Sequence, residues 1–236
     1  MQTSPNTTGQ LADYIENINP SLTINSESSQ TPNTLLWSIC GSVQEASGKT
    51  SGNSSLRLGK PCNFTRWFAL VRLWSPWLAP RHGQHTFQPD RDAVMAAFLR
   101  HDGQHIVFLA VSGIGDVLTV LTSDGDGSIV IGARNDGEGE ETCTVLVAVG
   151  SSFELANAAV MYHARKLVTQ YSSIKNEPQS EVASIIEETS KIDAKWYEQW
   201  YDGLTYCTWN GLGQQLSADR IYHALDVLQE NDIKSV

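Results

Sequence analysis

The chain has 236 residues, enough for one large domain or two small ones with a substantial buried core. Apolar residues make up 41% and charged residues 18%, the proportions of a globular protein. Twenty-six acidic against 16 basic residues leave a net charge of −10; this argues against a nucleic-acid or anionic-membrane partner, since both need a basic surface, and allows neutral polar ligands such as sugars.

Residues 1–33 are rich in Asn, Ser, Thr and Gln and poor in aromatics, so the composition predicts a disordered or loosely attached segment. They have neither the basic start nor the apolar core of a secretory leader, and the chain has no membrane-spanning run. Residues 41–60 are rich in Gly and Ser and read as a loop. Short apolar runs follow at regular intervals: 35–40, 67–74, 93–100, 105–112, 116–123, 127–134 and 142–149. They are rich in Val, Ile, Thr and aromatics and are separated by turn formers such as His101-Asp102-Gly103, Ser123-Asp124-Gly125-Asp126-Gly127 and Asn135-Asp136-Gly137. Short strands with Asp-Gly turns predict an antiparallel β-sandwich over 34–150.

From Ser152 the period changes. Phe153, Ala156, Ala159-Val160, His163-Ala164 and Leu167-Val168 mark one face of a helix, with Ser151 or Ser152 as its cap and Glu154 in its first turn. A second, weaker helix is expected at 181–195, so 151–202 reads as a helical linker. Residues 203–236 read as a strand ending in Tyr206-Cys207-Thr208-Trp209-Asn210, a short loop, and a helix capped by Ser217. That is one β/α unit. A parallel strand needs neighbours on both sides, so the expectation is a truncated second domain whose orphan unit promotes self-association.

These residues carry a resemblance. Tyr206-Cys207-Thr208-Trp209-Asn210 before a Ser-capped helix resembles the segment that opens the (β/α)8 barrel of the raffinose synthase and seed imbibition protein family, relatives of the family 36 α-galactosidases. The strand Arg66-Trp67-Phe68-Ala69-Leu70-Val71-Arg72-Leu73-Trp74-Ser75-Pro76-Trp77 resembles that family's Arg- and Trp-rich strand. Gly150-Ser151-Ser152-Phe153-Glu154-Leu155 resembles its helix start, and Trp196 to Trp200 its approach to the barrel. The likeness runs from about Leu35 onward and departs at Asn210, where the family usually has Asp. It implies an enzyme that hydrolyses or transfers α-galactosyl groups, with a galactosyl oligosaccharide as its ligand and no cofactor. The alternative is a stand-alone β-sandwich module that binds carbohydrate or protein without catalysis.

The resemblance makes Trp209 and Asn210 the candidate substrate-binding residues. Trp209 would sit at the C-terminal end of the first barrel strand, where such barrels keep their chemistry. Its face can pack on a sugar ring, or it can simply pack the barrel top. Asn210 can bond a sugar hydroxyl or start the loop. Retaining glycosidases need two carboxyl groups about 5 Å apart. By resemblance those aspartates lie on strands this chain does not contain, so no catalytic residue is assigned. Asp202, Asp219 and Asp226 match no catalytic position.

Other motifs read as structural. His82-x2-His85 and His101-x3-His105 have metal-ligand spacing, but no Cys, Asp or Glu completes a site and the pairs fall in different turns. The run from Asp124 to Asn135 begins like a calcium loop, yet Ile129 replaces its glycine and Asn135 its last glutamate, leaving a hairpin. Gly211-Leu212-Gly213 lacks the third glycine and acidic partner of a dinucleotide fingerprint. Arg66, Trp67, Arg72, Trp74 and Trp77 either form a carbohydrate-binding face or pack the core and a domain interface. Cys40, Cys62, Cys143 and Cys207 match no disulfide or zinc pattern, which suits reduced thiols in a cytoplasmic protein.

Overall fold

The computed structural model describes residues 7–45, 53–74, 77–174 and 216–231. The chain divides into two compact units, Met1–Asn176 and Glu177–Val236. The described elements of the first are α1 (Thr7–Ala12), β1 (Ile15–Glu16), β2 (Thr23–Ser26), β3 (Leu35–Val43), β4 (Asn53–Pro61), β5 (Phe64–Trp74), β6 (Trp77–Gly83), β7 (Ala93–Arg100), β8 (His105–Val111), β9 (Val117–Ser123), β10 (Ile129–Asn135), β11 (Glu141–Gly150) and α2 (Phe153–Ile174). In the second, α3 spans Ala218–Glu230.

The first unit is mainly β and antiparallel. One path runs β6-β5-β7-β8-β11-β3-β2 and another β1-β4-β10-β9; they join at the pair Ala93 and Leu121, with a further bridge between Glu45 and Asn135. That corner curls the sheet into a half-barrel, whose two walls face each other as in a sandwich. Phe98, Phe108, Val145, Val147, Trp37 and Ile39 from one wall meet Leu58, Leu121, Ile129 and Ile131 from the other in one core. All seven strands expected from apolar runs are present. The β9–β10 hairpin is closed by Asp124, whose side chain accepts from the backbone N–H of Asp126 and Ser128, while Gly127 supplies φ +86°.

Two expectations are corrected. Residues 7–33 are packed rather than loose: Leu11, Ile15 and Leu22 are buried, β1 pairs with β4 and β2 with β3. A polar segment needs few apolar residues when the sheet supplies the apolar surface and the ladder satisfies its backbone. Residues 53–60, within the expected loop, form most of β4. Leu58 is fully buried and the strand pairs on both sides, with β1 and β10. A strand that no apolar run marked, β6, follows β5 as an edge strand, which is why it tolerates Pro80.

The helix predicted from Ser152 is α2, with Ser152 Oγ accepting from Leu155 N. It is no mere spacer. Ala156, Ala159 and Val160 pack on Leu36, Val107, Leu146 and Ala148, on the outer face of β3, β8 and β11. Small residues let the helix sit close to the sheet. The rest of the expected linker, the helix at 181–195 and the strand at 203–210 lie outside the described residues. Helix α3 forms where predicted: Ser217 Oγ accepts from Arg220 N, Asp219 lies in the first turn, and none of its residues is buried. Among the described residues, no helix is long and apolar enough to cross a membrane.

Candidate functional site

The site begins with alternation along β5. Trp67, Ala69 and Val71 face the core, so Arg66, Phe68, Leu70 and Arg72 lie on the outer face. Trp67 is held by its indole N–H donating to Thr86 O at 2.7 Å and by edge-on contact with Phe87 at 5.3 Å. Gly83 is part of that seat, because a Cβ there would come within 2.6 Å of the Trp67 ring.

Register then assembles the outer face. Phe68 stands opposite His82 on β6 and Ala97 on β7. Arg66 stands opposite Leu99, which stands opposite His105 on β8. Helix α2 covers the outer face over β8 and β11 but stops at Phe153, whose ring meets Phe68 edge to face at 6.4 Å. Between this helix start and the β6 edge lies an open groove of about 610 Å³. Phe68, Phe153 and Ala97 form its apolar floor; Arg66, His82, Gln84 and His105 supply its polar groups.

The electrostatics of the groove are distinctive. Arg57, Arg81, Arg100 and Arg134 each pair with a nearby aspartate. Arg66 has no ion-pair or hydrogen-bond partner among the described residues. His105 Nδ1 is buried and has no hydrogen-bond partner among the described residues. The acidic neighbour is Glu154. Its carboxyl lies below the usual carboxylate range, held there by its own backbone N–H, by Ser152, and by the field of His105. Sequence spacing paired His82 with His85 and His101 with His105. The structure instead brings His82 and His105 to one groove and leaves His85 and His101 in exposed turns. Only the β6-β5-β7-β8 register could have found that grouping.

The other candidates fall elsewhere. Trp209 and Asn210 lie outside the described residues, as do Asp202 and Gly211 to Gly213. The Arg- and Trp-rich strand is split by alternation: Trp67 is core, while Trp74 and Trp77 are 62% and 53% exposed and stacked at 6.4 Å, 9° from parallel. Asp124 and Asp126 are engaged by Arg57 and the hairpin backbone, and Asp126 is acidified by its hydrogen-bond partners. Asp219 and Asp226 are exposed on α3.

A buried polar cluster joins Ser38, Glu27 and His163. Ser38 Oγ donates to Glu27 Oε1 at 2.6 Å, and His163 Nε2 lies 3.7 Å from Glu27 Oε2. Glu27 sits between hydroxyl and imidazole, so the nucleophile-to-base hydrogen bond of a hydrolytic triad is absent from this cluster. Burial pushes the His163 pKa down and the Cys40 and Cys143 thiols up, which makes all three groups neutral structural residues near pH 7. No family model matches the chain, and no curated protein matches it.

Proposed function

We propose that the chain is the β-rich, non-catalytic part of an enzyme acting on α-galactosyl oligosaccharides, of the raffinose synthase and α-galactosidase type. The observation that carries this reading is the turn at Gly150-Ser151-Ser152-Phe153-Glu154. There the last strand of an antiparallel domain passes directly into a long helix, the same junction at which the sequence resembles that family. The Ser217-capped helix α3 supports it as the helix of a first barrel unit. On this reading Trp209 would stack on a galactosyl ring, Asn210 would bond one of its hydroxyls, and the chain supplies no catalytic carboxylate.

The test uses the 236-residue chain. Raffinose should bind weakly, Trp209→Ala should abolish the binding, and 4-nitrophenyl α-galactoside should not be hydrolysed. Turnover removed by substituting a residue of this chain would overturn the non-catalytic assignment. Raffinose binding unaffected by Trp209→Ala would overturn the site. A second reading, a stand-alone binding module, is favoured by one observation: the groove between β6 and α2 is built entirely from the β-rich unit.

A further inference from the structure

We infer that the groove on the outer face of β5–β8 binds a small organic anion, with a carboxylate or phosphate head on Arg66 and His82 and a flat apolar body on Phe68 and Phe153. The inference stands under either reading of function, since it uses none of the residues assigned to a sugar pocket. It rests on three features that coincide.

The first is shape. Helix α2 begins at Phe153, whose ring packs on Phe68, and beyond it towards β6 the sheet's outer face becomes a groove with an aromatic wall. Its volume of about 610 Å³ suits a small molecule. The second is charge. The chain carries −10 overall, yet the groove is lined by Arg66, His82 and His105, with Glu154 outside the lining and within the field of His105. Arg66 is half of the argument. Arg57, Arg81, Arg100 and Arg134 are matched to aspartates, whereas Arg66, like Arg72, Arg91 and Arg165, makes no ion pair among the described residues, and of these four it is the one that lines the groove. A guanidinium presents a planar fork of donors that fits a carboxylate or phosphate with two parallel bonds.

The third feature is register. Phe68 faces His82 directly, and Arg66 is two residues along β5 on the same side, a diagonal neighbour of His82 at roughly 7–8 Å between Cα atoms. Arg66 and His82 therefore flank one head group while Phe68 lies beneath the adjoining body. His105 is two strands from β5, roughly 10 Å from Arg66, and beside Glu154. It borders the far end of the groove, so it plays the lesser role. The apolar floor argues against a bare inorganic ion as the full ligand, because Phe68 and Phe153 would stay uncovered.

The experiment is an NMR titration of the isotope-labelled full chain with phenylacetate, phenyl phosphate and 2-phenylethanol. The two anions share the neutral alcohol's flat ring, so the difference reports the head group. Phenylacetate should shift the amides of Arg66, Phe68, His82 and Phe153, with at least roughly tenfold tighter binding than 2-phenylethanol. Arg66→Gln should remove that advantage, and Phe68→Ala should weaken both probes alike. Glu154→Gln should tighten phenylacetate. Arg66 and Glu154 are exposed, so these variants keep the fold. If phenyl phosphate binds and phenylacetate does not, the head group is a phosphate; the reverse assigns a carboxylate. Absence of binding by both anions, equal binding of the alcohol, or an anion preference that survives Arg66→Gln overturns the inference.

Discussion

Along β5, consecutive residues meet opposite environments. Trp67, Ala69 and Val71 are buried against the second wall of the curled sheet, while Arg66 and Arg72 are exposed and Phe68 is only half-covered. The inner face is continuous. Phe64, Phe98, Phe87 and Phe108 interlock edge to face at 5.1 to 5.5 Å, and Trp67 joins through Phe87. The outer face is packed by α2 over β3, β8 and β11, and opens into a groove at β5 and β6. The contrast teaches that an apolar residue's role follows from the wall opposite it. Phe98 and Phe68 stand on neighbouring strands, one holding the fold and the other flooring a groove.

The largest expected effect tests that contrast directly. Phe98 is fully buried among three aromatic rings, so Phe98→Ala should cost about 3–5 kcal/mol through lost burial and a residual cavity. Phe68→Ala should cost far less, because its ring is half-solvated and its pocket is already open. Paired thermal or urea unfolding measurements decide it. Equal losses would mean that the outer face is as structural as the inner one.

A smaller effect sharpens the same comparison where the outer face is closed. His163 on α2 is 6% exposed, and burial lowers its pKa from the usual value of about 6.5, with Glu27 opposing the shift. The folded state thus binds the imidazole proton less readily than the unfolded chain. Stability should be intact above the unfolded pKa and fall as pH drops through about 6.5, levelling below the folded pKa. His163→Gln should flatten that part of the stability–pH curve. An unchanged slope would show that His163 does not titrate on unfolding.

The smallest effect belongs to the tip of the β5–β6 hairpin. Trp74→Ala and Trp77→Ala should each change stability by less than about 0.5 kcal/mol, because the stacked rings are mostly in solvent. A loss above 1–2 kcal/mol, roughly what a buried aromatic begins to contribute, would place the pair in a packed interface instead.

Sequence alone determined much of the β-rich unit. Val- and aromatic-rich runs broken by Asp-Gly turns identified seven strands, because period-two patterning and positive-φ glycine are local properties. The 3.6-residue period from Phe153 identified α2, and Ser217 marked the start of α3, for the same reason. Residues 7–33 and 53–60 were not legible, since a segment that borrows its apolar surroundings from distant strands has no local signature. Leu11, Ile15, Leu22 and Leu58 look isolated in the chain and are buried in the fold. Only tertiary structure could separate Trp67 from Arg66 into core and groove, or draw His82 and His105 from two sequence pairs to one face. Those outcomes depend on strand register and on where α2 stops. Both are set by the packing of residues far apart in the chain, a non-local sum that no window of sequence contains.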